Sequence, residues 1–142
     1  MTRSILHMIT PLKHISPFDV NMATDAGFDT IALYTGVEQK DVQGLVQDAI
    51  FSRNPKLSAR TGVFFGGRDA IIALDMVEAA RKSLVPPFEL SIFADPAGSF
   101  TTAAAMVACV EKTLKKNRNR ALSGLNLAVF GATGVVGFSS AV

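Results

Sequence analysis

At 142 residues the chain fits one compact domain, and a hydrophobic fraction of 49% with 18% charged residues supplies material for a buried core. The net charge of +2 is small for a nucleic-acid-binding protein, and aromatic residues are not interleaved with the basic ones, so no nucleic-acid partner is expected. Apolar stretches are interrupted within about 8 residues, well short of the roughly 18 that span a bilayer, so no membrane association is expected.

Short apolar runs of strand length alternate with stretches of helical periodicity. The predicted strands are 5–9, 30–34, 62–65, 88–93 and 125–130. This alternation is typical of βαβ crossovers, which build a mainly parallel sheet with helices on both faces, so we expect an α/β fold. In such a fold ligands bind beyond the carboxyl ends of the strands. The loops at these ends are 10–18, 34–36, 66–69 and 95–102.

Capping residues and apolar stripes mark the helices between these strands. Ser16, Pro17 and Asp19 predict a helix that starts with a capping box, and Asp69 predicts a second N-cap. A further helix follows Ser99. The predicted buried stripes are Val42, Leu45, Val46, Ala49 and Ile50; then Ala70, Ala73, Leu74, Val77, Ala80 and Leu84; then Ala103, Met106, Val107, Val110 and Leu114.

The run 125–130 leads into a glycine turn, Gly131-Ala-Thr-Gly-Val-Val-Gly137. A strand, a tight glycine turn and a helix start occur in this order in a Rossmann dinucleotide-binding unit. Gly131 would permit the turn, Gly134 would let backbone N–H groups approach a pyrophosphate, and Gly137 would let the helix pack closely. The spacing is G-x-x-G-x-x-G, and a glycine turn without a nucleotide is the alternative. The candidate cofactor-binding residues are Gly131, Thr133, Gly134, Val135, Val136 and Gly137.

The same turn predicts how the chain is divided into domains. Five residues follow Gly137, whereas a first Rossmann helix needs roughly three turns. We therefore expect residues 1–120 to form a substrate-binding domain and residues 121–142 to begin a truncated NAD(P)-binding Rossmann domain, a fragment inactive alone. The residue that selects NAD or NADP would lie about 20 residues beyond the first glycines, past Val142.

The N-terminal sequence indicates the compartment, and the single cysteine excludes disulfide and multi-cysteine metal chemistry. No apolar segment with a cleavage site is present, so a cytoplasmic location is expected. Cys109, the only cysteine, excludes an internal disulfide and a multi-cysteine zinc site, and we interpret it as packed within a helix face. No metal site is predicted.

Longer motifs occur in order along the chain: Ser16-Pro-Phe-Asp-Val-Asn-Met-Ala23, Ile50-Phe-Ser-Arg53, Phe65-Gly-Gly67, Val85-Pro-Pro-Phe88 and Phe93-Ala-Asp-Pro-Ala-Gly-Ser-Phe-Thr-Thr102. Over essentially the whole chain they resemble the NAD(P)-dependent methylene-tetrahydromethanopterin dehydrogenases of methylotrophic bacteria, and more closely the type that accepts both NAD and NADP. The resemblance implies an N-terminal portion of an oxidoreductase of one-carbon metabolism. It would pass hydride from 5,10-methylene-tetrahydromethanopterin to NAD(P)+, giving the methenyl form, as a step of formaldehyde oxidation. Self-association is also implied.

The resemblance also implies substrate-binding residues. Phe18 would stack on the pterin and Asp19 would accept from its ring amide and amino groups; core packing and helix capping are their respective alternatives. The other candidates are Asp95, Ser99, Thr101 and Thr102, with turn formation or capping as the alternative. A cation would suit the acidic tail of the substrate. The candidate cations are Arg53, Lys56, Arg60 and Arg68.

Two rival functions are compatible with parts of this pattern. A methylene-tetrahydrofolate dehydrogenase/cyclohydrolase would use a Tyr-x-x-x-Lys pair, but Tyr34 is followed at that spacing by Glu38, which argues against cyclohydrolase activity. A pterin-binding or self-associating module without activity is the second rival. His7, in a strand, is interpreted as structural, whereas His14 lies near the expected substrate loop.

Overall fold

The computed structural model describes residues 3–142 and contains two compact units. The first unit ends at Pro96 and the second spans Ala97–Val142. The domain boundary that the sequence predicts at residue 120 is a different division, and it stays a prediction. No helix in the described part of the chain is both long and apolar enough to cross a membrane.

The first unit is built on a parallel four-stranded sheet. Its strands are β1 (Ile5–Ile9), β2 (Thr30–Tyr34), β3 (Thr61–Phe65) and β4 (Ser91–Ala94), in the order β2-β1-β3-β4. The predicted α/β fold is confirmed. Strand β4 begins three residues later than predicted, since Phe88 exchanges backbone hydrogen bonds with Val85 in a local turn and cannot join the sheet there.

Three helices connect these strands and cover both faces of the sheet. They are α1 (Pro17–Asp25), α2 (Val42–Phe51) and α3 (Ala70–Lys82), with short 3-10 turns at Gln39–Asp41 and Pro55–Arg60. From β1 to β2 the chain moves toward one side of the sheet. From β2 to β3 and from β3 to β4 it moves toward the other side. Because parallel crossovers are right-handed, α1 lies on one face and α2 and α3 lie on the other.

Each face of the sheet has its own hydrophobic core. The smaller core, beneath α1, consists of Leu6, Met8, Ala23 and Phe64. The larger core lies beneath α2 and α3 and contains Ile9, Val37, Val42, Val46, Ala49, Ile50, Val63, Phe65, Met76, Val77, Ala80 and Leu90.

The predicted stripes of α2 and α3 are buried at most positions and half-buried at Leu45 and Leu84. The exception is Leu74, which is 51% exposed, while Met76 is buried. The other buried positions centre the inner face between Ala73 and Val77. With about 100° per residue, Leu74 and Met76 each lie roughly 80° from that centre, on opposite borders of the inner face, so the helical period alone does not decide which of them is buried.

The second unit contains α4 (Ser99–Arg118) and α5 (Val135–Ala141), which pack against each other. The strand predicted at 125–130 is wrong, since the segment pairs with no described strand and a strand needs a hydrogen-bonded neighbour. Ala103 is buried as predicted and Leu114 is half-buried. The other predicted core residues of α4 are exposed, and so is Cys109. Three of these α4 residues, Met106, Val107 and Val110, line a cleft of about 250 Å³. Its other lining residues are Leu122, Leu127, Ala128, Val129, Phe130 and Ser140.

Candidate functional site

The strands of the first unit end in register at one edge of the sheet. Ile9 pairs with both Tyr34 and Phe65, and Phe65 pairs with Ala94. The residues that follow the four strands therefore begin loops at the same level. These residues are Thr10, Thr35, Gly66 and Asp95.

The strand order reverses direction between β1 and β3. The chain leaves β1 toward α1 on one face and leaves β3 toward α3 on the opposite face, which opens a crevice outside the carboxyl ends of these two strands. Such a switch point is where open α/β sheets bind their ligands. The two loops meet there, because a Cβ added at Gly67 would lie 3.7 Å from Cδ of Pro11.

Asp19 points its carboxylate into this crevice. A Cβ added at Gly66 would lie 3.3 Å from Oδ2 of Asp19. The predicted capping box does not form, since the Ser16 side chain accepts no cap hydrogen bond. Burial raises the pKa of Asp19, and the negative charge of Asp95 raises it further. The crevice therefore holds a partly desolvated carboxylate that caps no helix.

Phe18, on the same first turn of α1, is 63% exposed. The alternative that it packs in the core is wrong in this structure. An exposed phenyl ring and a partly buried carboxylate on consecutive residues offer a flat apolar surface and a hydrogen-bond acceptor, a combination that suits a planar ring with N–H donors.

The loop after β4 has an unusual backbone. The backbone N–H of Asp95 donates to the carbonyl of Phe65 at 3.4 Å, which extends the β3–β4 pairing by one residue. Ala97 and Gly98 then both adopt left-handed conformations, with φ of 54° and 65°. A non-glycine residue in this region costs roughly 1–2 kcal/mol, and such strain concentrates at functional sites.

The second unit contains the three remaining substrate-binding candidates, which are Ser99, Thr101 and Thr102. Ser99 is fully buried, and its hydroxyl has no hydrogen-bond partner among the described residues. It begins α4 instead of capping it, since the N-cap is Gly98. Thr101 donates to the carbonyl of Gly98 at 3.3 Å, a local hydrogen bond that does not cap the helix, and Thr102 is exposed. In this conformation Ser99 offers no surface to a ligand.

The glycine turn has the backbone geometry that its sequence predicts. Gly131 has a φ of 77°, in the left-handed region. A Cβ added at Gly137 would overlap the carbonyl oxygen of Gly131 and lie 2.7 Å from its carbonyl carbon, so only glycine fits there. Gly134 is the N-cap of α5, and it has no side chain that would cover its backbone. The N–H of Gly134 donates to the carbonyl of Gly131 at 3.0 Å, and nucleotide binding at this turn stays a prediction.

The cations expected to bind an acidic tail do not gather at this site. Arg53 donates to the carbonyls of Arg3 and Arg60 and to the hydroxyl of Thr61, which begins β3. These groups, with Lys56 in the preceding 3-10 turn, lie at the amino edge of the sheet. A five-residue strand separates that edge from the crevice by roughly 13 Å. The expectation that these cations lie near the substrate crevice is therefore wrong for Arg53, Lys56 and Arg60. Of the four candidates, only Arg68 follows a strand at the carboxyl edge.

The two histidines have different surroundings. Nδ1 of His7 lies 3.1 Å from the hydroxyl of Tyr34. Burial lowers the pKa of His7 and the charge of Arg53 lowers it further, which favours the neutral ring. This geometry supports the structural interpretation of His7. His14 is exposed in the loop after β1.

A groove that the sequence did not predict lies beside the crevice, on the α1 side of the sheet. It has a volume of about 510 Å³, and we call it the Lys13 groove after its only lysine. Its lining residues are Lys13, His14, Ile15, Pro17, Val20, Asn21, Leu33 and Thr35. Leu33 lies on the edge strand β2 and is 51% exposed. The available signal was that residues 10–16 follow the carboxyl end of a strand.

The first unit is an open parallel α/β unit with polar side chains at its switch point, the position at which such sheets bind ligands. The family model described as methylene-tetrahydromethanopterin dehydrogenase, N-terminal, matches residues 17–97, more than half of the chain. The chain belongs to this family, and the predicted resemblance is confirmed.

Two relatives come from Methylorubrum extorquens. Its NAD(P)-dependent methylenetetrahydromethanopterin dehydrogenase is 59% identical over 142 residues, which are 100% of this chain and 48% of that protein. Its bifunctional protein MdtA is 36% identical over 112 residues, which are 79% of this chain and 39% of that protein. The chain therefore spans about half the length of the first relative and aligns with a smaller share of the second.

Proposed function

We propose that this chain is the pterin-binding portion of an NAD(P)-dependent oxidoreductase that transfers hydride from 5,10-methylene-tetrahydromethanopterin to NAD(P)+. The observation that carries the proposal is the Asp19 carboxylate beside Gly66 at the switch point. The relative that is 59% identical over the whole chain has this reaction in its name.

The crevice suits recognition of the pterin ring. The ring amide and the exocyclic amino group are neighbouring N–H donors, and a carboxylate can accept from both. Asp19 supplies that carboxylate, Phe18 supplies a face for stacking, and Gly66 and Gly67 leave room for close approach. Because the ring amide and amino group donate, ionised Asp19 is the binding form.

The reaction itself needs little from the protein as an acid or base. Hydride leaves the methylene carbon with both electrons of its C–H bond, and the lone pair of an adjacent substrate nitrogen stabilises the resulting methenyl cation. No proton has to be removed. The contribution of the chain is to hold the ring in one orientation and to exclude water, which are effects of positioning and desolvation.

The glycine turn would contribute to the site of the hydride acceptor. When bound, the nicotinamide of NAD(P)+ accepts the hydride. Gly131 would permit the turn, Gly134 would let the phosphates approach backbone N–H groups, and Gly137 would let the helix pack closely, with Thr133, Val135 and Val136 as the other candidate residues. Several expectations stay predictions. They are the start of a Rossmann domain at 121–142, acceptance of both NAD and NADP, a cytoplasmic location, self-association, and the absence of nucleic-acid and membrane partners.

The test is turnover by the full-length gene product. We expect formation of NADH or NADPH with methylene-tetrahydromethanopterin, and a loss in kcat/KM of about tenfold or more for Asp19→Asn, because a hydrogen-bonded charge is removed. Asp75→Asn, which removes an exposed carboxylate on α3, is the matched control and should retain full activity. Turnover with the tetrahydrofolate analogue alone, or with neither substrate, would contradict the proposal.

A further inference from the structure

The Lys13 groove is bordered by segments that are tied together by backbone hydrogen bonds. The N–H of Gly36 donates to the carbonyl of Leu12 at 2.8 Å, and the N–H of Val37 donates to the carbonyl of Thr10 at 3.1 Å. The loop after β1 and the loop after β2 are thereby held as one surface. The groove is preformed, which lowers the entropic cost of filling it.

The lining of the groove has two chemical characters. Ile15, Pro17, Val20 and Leu33 provide apolar surface, and Leu33 keeps half of its side chain exposed there. Lys13, His14, Asn21 and Thr35 provide a positive charge and hydrogen-bonding groups. None of these eight lining residues is acidic. The groove therefore suits an elongated ligand with apolar segments and an anionic end.

The first turn of α1 connects this groove to the crevice that holds Asp19. Pro17 and Val20 line the groove, whereas the Asp19 carboxylate reaches Gly66 after β3. The groove extends toward β2 and the crevice toward β3, with β1 between them. A ligand whose head meets Asp19 and passes over the exposed ring of Phe18 would enter the groove at Pro17.

Lys13 differs from the other candidate cations in its position relative to the groove. Arg53, Lys56 and Arg60 lie at the amino edge of the sheet, and Arg68 follows β3 and does not line the groove. An acidic extension of a ligand bound at the crevice would meet Lys13 in a lining without carboxylates.

Building on the proposed function, we propose that the Lys13 groove binds the acidic arm of the reduced pterin substrate, with Lys13 pairing with a carboxylate of that arm. Asp19 would then recognise the head of the substrate and Lys13 its arm. The groove thereby selects pterins that carry an extended anionic substituent over those with a bare ring.

Calorimetric titration of the full chain with two ligands separates the head from the arm. Tetrahydromethanopterin carries both, whereas 6-methyltetrahydropterin carries the head alone. We expect Lys13→Gln to weaken tetrahydromethanopterin binding about threefold to tenfold and to leave 6-methyltetrahydropterin unchanged, as expected for loss of one charge-assisted contact. Lys56→Gln, at the opposite edge of the sheet, is the matched control and should change neither affinity, whereas Arg68→Gln tests the rival cation at the same edge.

A second variant tests the apolar part of the groove. Leu33→Thr keeps a residue suited to the edge strand but removes apolar surface, and it should also weaken the ligand with the arm and leave the head alone unaffected. Equal wild-type affinity for the two ligands, no effect of Lys13→Gln, or a larger effect of Arg68→Gln would overturn the groove proposal. Asp19→Asn should weaken both ligands. If it does while Lys13→Gln has no effect, the arm proposal alone fails, and if the wild type binds neither pterin, both proposals fail.

Discussion

The two units of the chain bury their apolar residues to very different extents. In the first unit Phe65, on the central strand β3, has 0% of its surface exposed, whereas Phe130 in the second unit is 96% exposed. The first unit has a core on each face of its sheet, because every strand has a neighbour and every face has a helix. The glycine turn of the second unit has the required backbone geometry without such a core. Local geometry thus follows from a few glycines, whereas burial requires partners distant in sequence.

The largest expected effect tests this difference in burial directly. Phe65→Ala should lower the free energy of unfolding by about 3–5 kcal/mol, since it removes a fully buried ring and leaves a cavity. Phe130→Ala should change it by less than about 0.5 kcal/mol, as for an exposed site. Urea denaturation followed by circular dichroism measures both, since the chain has no tryptophan. Comparable losses for the two variants would show that Phe130 is buried in solution.

Helix capping within the first unit gives an intermediate effect. The Asp69 side chain accepts from the backbone N–H groups of Ile71 and Ile72, at 2.9 and 3.0 Å, so Asp69→Ala should cost about 1 kcal/mol. The Ser16 side chain makes no such bond, so Ser16→Ala should lower the free energy of unfolding by at most about a few tenths of a kcal/mol. The same denaturation series compares them. A larger loss of stability for Ser16→Ala than for Asp69→Ala would indicate that the capping box predicted from the sequence forms in solution.

The smallest effect concerns the charge of Asp19. Burial and the charge of Asp95 raise the pKa of Asp19 in the folded chain, so its protonated form is the one that folding favours. Its contribution to stability is present below the ordinary aspartate range and is lost as the pH rises through the raised pKa. Asp19→Asn should therefore gain stability relative to the wild type as the pH increases toward neutrality. Thermal unfolding between about pH 3 and pH 7, with Asp75→Asn as the control, tests this, and a constant difference would contradict it.

Pterin binding should depend on pH in the opposite sense. Because the ring amide and amino group donate hydrogen bonds, they require ionised Asp19, and affinity should fall as the pH drops through its raised pKa. Titrations of 6-methyltetrahydropterin across that range measure this, and Asp19→Asn should remove the dependence. A dependence that persists in the variant would assign it to another group.

Features governed by local sequence could be predicted, whereas features that depend on distant partners could not. The bounds of β1 and β2 and the Asp69 cap follow from short apolar runs and one side chain. The strand at 125–130 was wrong because pairing depends on another strand. The position of Arg53 was also missed, because sequence spacing does not show which end of β3 it reaches.

The candidate site was predictable to a similar degree. Phe18 and Asp19 were predicted from the family resemblance, and the structure places them at the switch point. The sequence could not decide whether Asp19 caps α1, since that depends on Gly66, which lies far away along the chain. The Lys13 groove was missed because exposure of Leu33 follows from the edge position of β2, which only the strand order reveals.

Both proposals depend on binding of the pterin head in the crevice between β1 and β3. Titrating 6-methyltetrahydropterin into the ¹⁵N-labelled chain, with backbone amide shifts as the readout, tests it most directly. We expect the largest shifts at Phe18, Asp19 and Gly66, little change at Lys56 on the opposite edge, and loss of the shifts in Asp19→Asn. Shifts centred at the amino edge, or shifts at the crevice that survive in Asp19→Asn, would contradict it.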